Sequence, residues 1–297
     1  MRARFMAALF LLALPILVMA ETAAPLPELE SRPDSSLQAG LEAVLADQGL
    51  ADAVARGDLA VALAVVTVPG DPRLAMVNGH RMLYAASLPK IAILLGAADA
   101  LETGRMKMNP ALDQDLNAMI RTSCNDCATR VLAQVGRDEL LSTLQAPRYG
   151  FYDVEADGGL WVGKDYGPAQ AYQRDPLTGL SHGATAYQAA RFYYLLHNRA
   201  LVSPTQSELM LSTLVDPALS HKFVKNLQGL PGVRLYRKSG TWKDYHSDSV
   251  LVRYAGHAYI LVALSRHPNG ERWLQNMALP LHQLAVQKSW ETVQAAQ

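Results

Sequence analysis

A serine and a lysine three residues apart, Ser87 and Lys90 in Tyr84-Ala85-Ala86-Ser87-Leu88-Pro89-Lys90, stand directly before the apolar run Ile91 to Leu95. At the opening of a helix this spacing puts both side chains on one face of the first turn. A serine hydroxyl is a poor nucleophile at neutral pH, because its proton must leave as it attacks. An amine kept neutral by burial, or by a second cation nearby, can take that proton. Pro89 suits a helix start, where its missing N–H costs nothing. The free amides there supply a partial positive field for a developing oxyanion. Standing alone, the pair is a weak signal, since most such matches are a helix cap followed by a solvated lysine.

The elements around this pair follow from hydrophobic period. Leu37 to Ala55 carries apolar residues at helical spacing and reads as one amphipathic helix. Leu59 to Val68 and Leu74 to Val77 read as a hairpin closed by Pro69-Gly70-Asp71-Pro72. From Ser87 to about Lys225 the pattern is mostly helical: Ile91–Leu101, a helix from Asn109-Pro110 to Thr122, a third from near Asn125, then Thr185–Asn198 and Pro204–Leu214. Between them, residues 150–183 form a long Gly-, Tyr- and Asp-rich stretch without period, and loops of that length are usually functional. From Gly232 strands return, and Trp273 to Val293 reads as a closing helix. The expected fold is α/β (α+β): an antiparallel sheet flanked by N- and C-terminal helices, with an all-helical lobe inserted between its strands. The α/β lobe would comprise residues 37–86 and 226–297 and the helical lobe 87–225.

Composition narrows the function classes. The 297 residues suffice for a sizeable core, and Lys plus Arg balance Asp plus Glu at 27 each. That argues against nucleic acid held by phosphate contacts and against a polybasic membrane-surface protein. Arg2 and Arg4 before the apolar segment Phe5–Leu17, with Val18-Met19-Ala20 after it, read as a signal peptide (1–20) cleaved after Ala20, followed by a leader (21–36). An uncleaved N-terminal anchor is the alternative on length; either way the body lies outside the cytoplasm, in the periplasm or secreted. No stable membrane insertion is expected after cleavage, and the protein should be a monomer. The two cysteines, Cys124 and Cys127, lack a thioredoxin-like context and are too few for a zinc site. We read them as two small buried residues on a helix, with a disulfide left open in an oxidising compartment.

Two further motifs decide how Ser87 and Lys90 are read: Ser123-Cys124-Asn125, and Lys238-Ser239-Gly240-Thr241. With S-x-x-K, S-x-N and K-[TS]-G in this order, the chain resembles the serine β-lactamases and penicillin-binding proteins, most closely the class A β-lactamase fold. The resemblance spans nearly all of the mature chain. It implies Ser87 as acylated nucleophile, Lys90 as its proton acceptor and Ser123 as proton relay to the leaving nitrogen. By the same resemblance Asn125 holds the substrate's side-chain amide, Lys238 adds positive potential beside Ser123, and Thr241 binds the substrate carboxylate. Ser239 and Gly240 are substrate-binding too, Gly240 leaving room for the substrate along the strand edge, and the N–H groups of Ser87 and Thr241 form the oxyanion hole. No metal or cofactor is implied, and the partner is a small-molecule β-lactam or a cell-wall peptide.

Departures bear on which reaction is catalysed. The class A glutamate string E-x-x-L-N, which activates the deacylating water, does not occur in this sequence. Its region holds Glu155, Asp157, Asp165 and Asp175, of which Asp165 is the best substitute base. Ser87 and Ser123 also lie closer in sequence than in class A enzymes, which implies a missing or rebuilt cleft wall. His246 follows the Lys238 motif and is expected near the cleft mouth, its role left open, as for His182 and His221. Trp242 and Tyr245 either line the groove or pack its loop. Three readings result: β-lactam hydrolysis with a substitute base; a peptidase, amidase or esterase that β-lactams acylate only slowly; and a binding protein on the same fold. A close Asp165 or Asp175 would favour the first.

Overall fold

The computed structural model describes residues 26–295; the expected signal segment, residues 1–20, lies outside them. The expected single first helix is two, α1 (Ser35–Asp47) and α2 (Ala51–Ala55). Gly49, at φ +68°, turns the chain between them. Asp34 caps α1 by accepting from the amides of Ser36 and Leu37. The segment before it is not a free leader. Leu29 is fully buried, and residues 32–34 pair with Leu74 through Leu74 N–H to Arg32 O at 3.0 Å and Asp34 N–H to Leu74 O at 2.9 Å.

The hairpin β1 (Leu59–Val65) and β2 (Arg73–Val77) leads to a short strand, β3 (Leu83–Tyr84), and then to α3 (Lys90–Glu102). Helices α4 (Pro110–Arg121), α5 (Asn125–Val135) and α6 (Arg137–Gln145) follow. The long aperiodic stretch forms β4 (Tyr152–Asp153), β5 (Gly158–Gly159), β6 (Trp161–Val162) and β7 (His182–Ala184). Then come α7 (Ala186–His197), α8 (Pro204–Leu214) and α9 (Phe223–Leu227), strands β8 (Val233–Trp242), β9 (Tyr245–Tyr254) and β10 (His257–Arg266), and α10 (Gly270–Ala295).

The five-stranded sheet has the order β2-β1-β10-β9-β8, with antiparallel neighbours throughout. Strand β1 is buried along its whole length, and its alternation sorts residues by face. Ala60, Ala62 and Ala64 join a core shared with α3, α5, α7 and α8, whereas Leu59, Val61, Leu63 and Val65 join one shared with α1 and α10. Two cores on one sheet are why β1 reads as a continuous apolar run. The helical layer sits between β3 and β8 in sequence, and it is not all-helical as expected, because the segment also holds the short strands β4 to β7. Its centre is α3, buried on every face from Lys90 to Ala100.

The site falls where three pieces converge. They are the turn from β3 into α3, the turn from α4 into α5, and strand β8 at the edge of the five-stranded sheet. Residues 161–184 close the fourth side through β7, whose His182 carbonyl accepts from Ala85 N–H at 3.0 Å.

Candidate active site

Ser87 sits in a tight turn whose geometry the backbone pays for. Ala86 holds φ +50°, a conformation that costs a residue with a Cβ about 1–3 kcal/mol and that needs its surroundings to enforce it. Those surroundings are visible: Leu88 N–H donates to Ala85 O at 3.0 Å, and the Tyr166 hydroxyl donates to Ala86 O at 3.3 Å. Ser123, in the α4–α5 turn, is likewise left-handed at φ +62°.

Lys90 is fully buried, three residues into the same turn as Ser87. Its amine donates to Ser123 O at 2.7 Å, Asn125 Oδ1 at 2.8 Å, Cys124 O at 3.3 Å and Ser123 Oγ at 3.5 Å. Its partners lie in the 123–125 turn. Burial lowers its pKa to about 7, so near neutral pH the amine is poised between accepting and giving a proton. Lys238, on β8, donates to the same Ser123 Oγ at 2.9 Å. Burial, then the charges of Lys90, Arg237 and Lys222, push its pKa well down. One hydroxyl thus joins two amines, which is the connection a proton relay needs. Asn125 lines the cleft and gives its Oδ1 to Lys90, so its amide NH₂ is the group left to donate to a substrate carbonyl.

The β8 edge carries Gly240 against the Ser87 turn. A Cβ on Gly240 would lie 2.2 Å from Ala85 O and 2.6 Å from Ser87 N, so only glycine lets the strand come this close. Thr241 follows it and lines the cleft with Ser87. A third lysine, missed in the sequence reading, braces this edge from behind. Lys222 is fully buried, and its amine donates to Gly240 O at 2.6 Å, Thr241 Oγ1 at 2.8 Å and Ser247 O at 3.1 Å. Burial lowers its pKa to about 8. No sequence pattern marks it, because it is recruited from the loop before α9.

The cleft has a volume of about 290 Å³ and is open at one end. Its walls include Ser87, Asn125 and Thr241 from the motifs, Tyr84, Tyr166 and His182 from the rebuilt side, and Trp242 at the rim, 57 % exposed. Tyr166 was also missed. The centre of its buried ring lies 4.4 Å from the Lys90 amine and packs against His182, tilted, at 4.3 Å. His182 Nε2 lies 3.0 Å from Lys164 O; a carbonyl only accepts, so Nε2 carries the hydrogen. Burial, chiefly, lowers its pKa to about 4, and the imidazole is neutral at pH 7.

Among the described residues, no carboxylate lines this cleft. Asp165, the expected substitute base, is held by Arg137 in a two-pronged pair, with Arg137 Nε to Oδ1 at 3.0 Å and Nη2 on Oδ2. Asp175 is buried and knots its own loop, accepting from Thr178 N–H at 2.9 Å, Leu177 N–H at 3.1 Å and the amide of Leu180. Glu155 and Asp157 are exposed, around the β4–β5 turn. Asp165→Asn should therefore leave deacylation unchanged and, with the Arg137 side of the pair about half exposed, cost about 0–1 kcal/mol of stability. A stopped acyl-enzyme in that variant, followed by mass spectrometry, would restore Asp165 as the base.

Two other expectations change, and an open one is resolved. Cys124 and Cys127 are joined in a disulfide across the first turn of α5. They are not free core residues, because their separation of three places both at the same helix end. His246 is buried away from the cleft, its ring against Gly270. Tyr245 packs edge-on against Tyr84 at 5.3 Å, whereas Trp242 does line the groove. No helix among the described residues is long and apolar enough to cross a membrane.

Comparison with known proteins follows this geometry. No curated protein matches the sequence. A β-lactamase from Sphaerobacter thermophilus superposes with a TM-score of 0.62 at 17 % identity, over 80 % of this chain and 97 % of that one. PBP-A, solved as a variant in an acyl-enzyme complex with penicillin G, gives 0.64 at 17 %, over 88 % and 99 %. A representative class A β-lactamase from Bacteroides cellulosilyticus gives 0.64 at 13 %, over 84 % and 98 %. At these identities the likeness is one of fold. The sequence itself matches the β-lactamase enzyme family over residues 108–284, which takes in Ser123, Asn125 and Lys238 to Thr241. With that match covering more than half of its length, the chain belongs to the β-lactamase enzyme family.

Proposed function

We propose that the protein is an exported serine acyltransferase-type hydrolase that opens the amide of a β-lactam or cell-wall peptide and holds the product as a long-lived ester on Ser87. Support for acylation comes from Ser87, Asn125 and Thr241 in the cleft lining and from Lys90 and Lys238, which meet at the 123–125 turn behind it. Neutral Lys90 takes the Ser87 proton as Oγ attacks, and the N–H groups of Ser87 and Thr241 receive the oxyanion. Ser123, between Lys90 and Lys238, passes a proton to the departing nitrogen. Asn125 and Thr241 hold the substrate's amide and carboxylate.

The observation that carries slow release is the carboxylate-free cleft wall, where Tyr166 lies over Lys90 and Asp165 is taken up by Arg137. Water must attack the ester without an acid-range base beside it, which forgoes about 10²–10⁴ in rate. A second reading, efficient hydrolysis, has one observation behind it: His182 is a neutral imidazole in the wall. Rapid mixing with a chromogenic cephalosporin separates the two. The first reading expects a burst stoichiometric with enzyme and then a slow phase. Steady turnover without a burst, abolished by His182→Ala, would establish the second.

A further inference from the structure

The disulfide lies inside the catalytic motif, not beside it. Cys124 separates Ser123 from Asn125, and its own carbonyl is one of the Lys90 acceptors. The two sulfurs differ in access: Cys124 is part-exposed and Cys127 is buried. Cys124 is the N-cap and Cys127 lies in the first turn of an 11-residue helix, and Arg130, whose guanidinium is paired with Asp115, holds Nη2 3.4 Å from Cys127 Sγ. A helix N-terminus favours a thiolate over a thiol, and the guanidinium, already shared with Asp115, adds a weaker pull in the same direction. Cys-x-x-Cys with one reachable and one sheltered sulfur is an arrangement suited to exchange.

We propose that Cys124–Cys127 is a reversible thiol–disulfide exchange site that gates acyl transfer, its reductant a dithiol, such as an exported dithiol oxidoreductase. The thiolate of the dithiol attacks Cys124 Sγ, the S–S bond breaks, and Cys127 leaves as a thiolate facing Arg130 and the amides of α5. The second thiol of the reductant then attacks the mixed disulfide and frees Cys124. Two electrons pass to the protein, the dithiol becomes a disulfide, and its two protons end on Cys124 and Cys127.

The consequence for the site follows from connectivity, and it rests on the acyl-serine reading given above. The bridge clamps residues 124–127, and through them Ser123, whose φ of +62° no regular element enforces. Released, the turn can relax toward ordinary backbone, carrying off Ser123 Oγ and the carbonyls that hold the Lys90 amine. Misplacing catalytic groups by about 1 Å costs on the order of 10²-fold in rate.

The test treats native full-length protein with dithiothreitol, alkylates with iodoacetamide and reads intact mass. Amide hydrogen exchange over residues 122–128 and the rate of labelling by a fluorescent penicillin are followed on the same samples. The expected result is two alkyl groups on folded protein, faster exchange over 122–128, and labelling slowed about 10²-fold, all reversed on reoxidation. Cys124→Ser/Cys127→Ser should label at the reduced rate with or without dithiothreitol. A bridge that resists reduction until the protein unfolds overturns the proposal, as does reduced protein that labels at the oxidised rate. Should oxidised protein take no penicillin at all, the β-lactam arm of the acyl-serine reading fails by itself. Alkylation with faster exchange then still supports the exchange site, and their absence overturns it.

Discussion

Lys90→Met should lower the acylation rate constant for a penicillin by about 10²–10⁴, the usual worth of a positioned base, while far-UV circular dichroism stays unchanged. Methionine keeps an unbranched stem as far as Cε and removes the amine, so packing around α3 changes little. The pH profile makes the assignment specific. Wild-type acylation should rise with pH through an inflection near 7, where the buried amine becomes neutral, and the variant should lose that inflection. Stability should carry the same signature. Burial puts the folded-state pKa below the ordinary 10.5, so between about 7 and 10.5 the unfolded chain binds more protons. The contribution of Lys90 therefore makes the protein more stable as pH rises across that window, and flattens below it. Acylation of Lys90→Met within a few-fold of wild type would remove Lys90 from its role.

Arg237→Met should destabilise the fold by about 3–5 kcal/mol, read as a lower urea midpoint at unchanged slope. The side chains of Arg237 and Asp248 are 3 % and 0 % exposed and meet through Nε–Oδ1 at 2.6 Å and Nη2–Oδ2 at 3.0 Å. Removing the guanidinium leaves an unpaired carboxylate in the interior, which is far costlier than losing the pair. Arg237 also donates to Leu219 O, and Asp248 accepts from Phe223 N–H. The pair thus ties strands β8 and β9 to the segment that delivers Lys222. The double variant Arg237→Met/Asp248→Leu should recover more than half of the loss, because no charge is then stranded. A double variant no better than the single would show that the cost lies in packing.

Legibility divided along physical lines. Elements governed by local period were readable: α3, α4, α8 and the β9–β10 hairpin all follow from spacing and from Gly or Pro punctuation. The three motifs were readable because each is short and contiguous, and their order needs no tertiary knowledge. The pattern over residues 37–55 gives one helix where there are two, since a three-residue break at Gln48-Gly49-Leu50 hardly disturbs a helical hydrophobic pattern. The cleft wall was not readable. Whether Asp165 faces Ser87 or Arg137 depends on where α6 puts Arg137, and the α6 helix leaves little trace in the pattern. Tyr166 and Lys222 escaped for the same reason: both reach the site from loops, across a long sequence separation. The disulfide was left open in the sequence and closed by geometry, because one helical turn brings both sulfurs to the same end of α5.

The most direct measurement is intact mass spectrometry of the mature protein mixed with a penicillin and sampled from seconds to hours, with Ser87→Ala alongside. The account expects one drug mass added to the wild type, absent from Ser87→Ala, and persisting long after free drug is removed. Two results would contradict it. An adduct that forms equally on Ser87→Ala would displace the nucleophile, and one that clears within seconds would show that the cleft supplies a water-activating base after all.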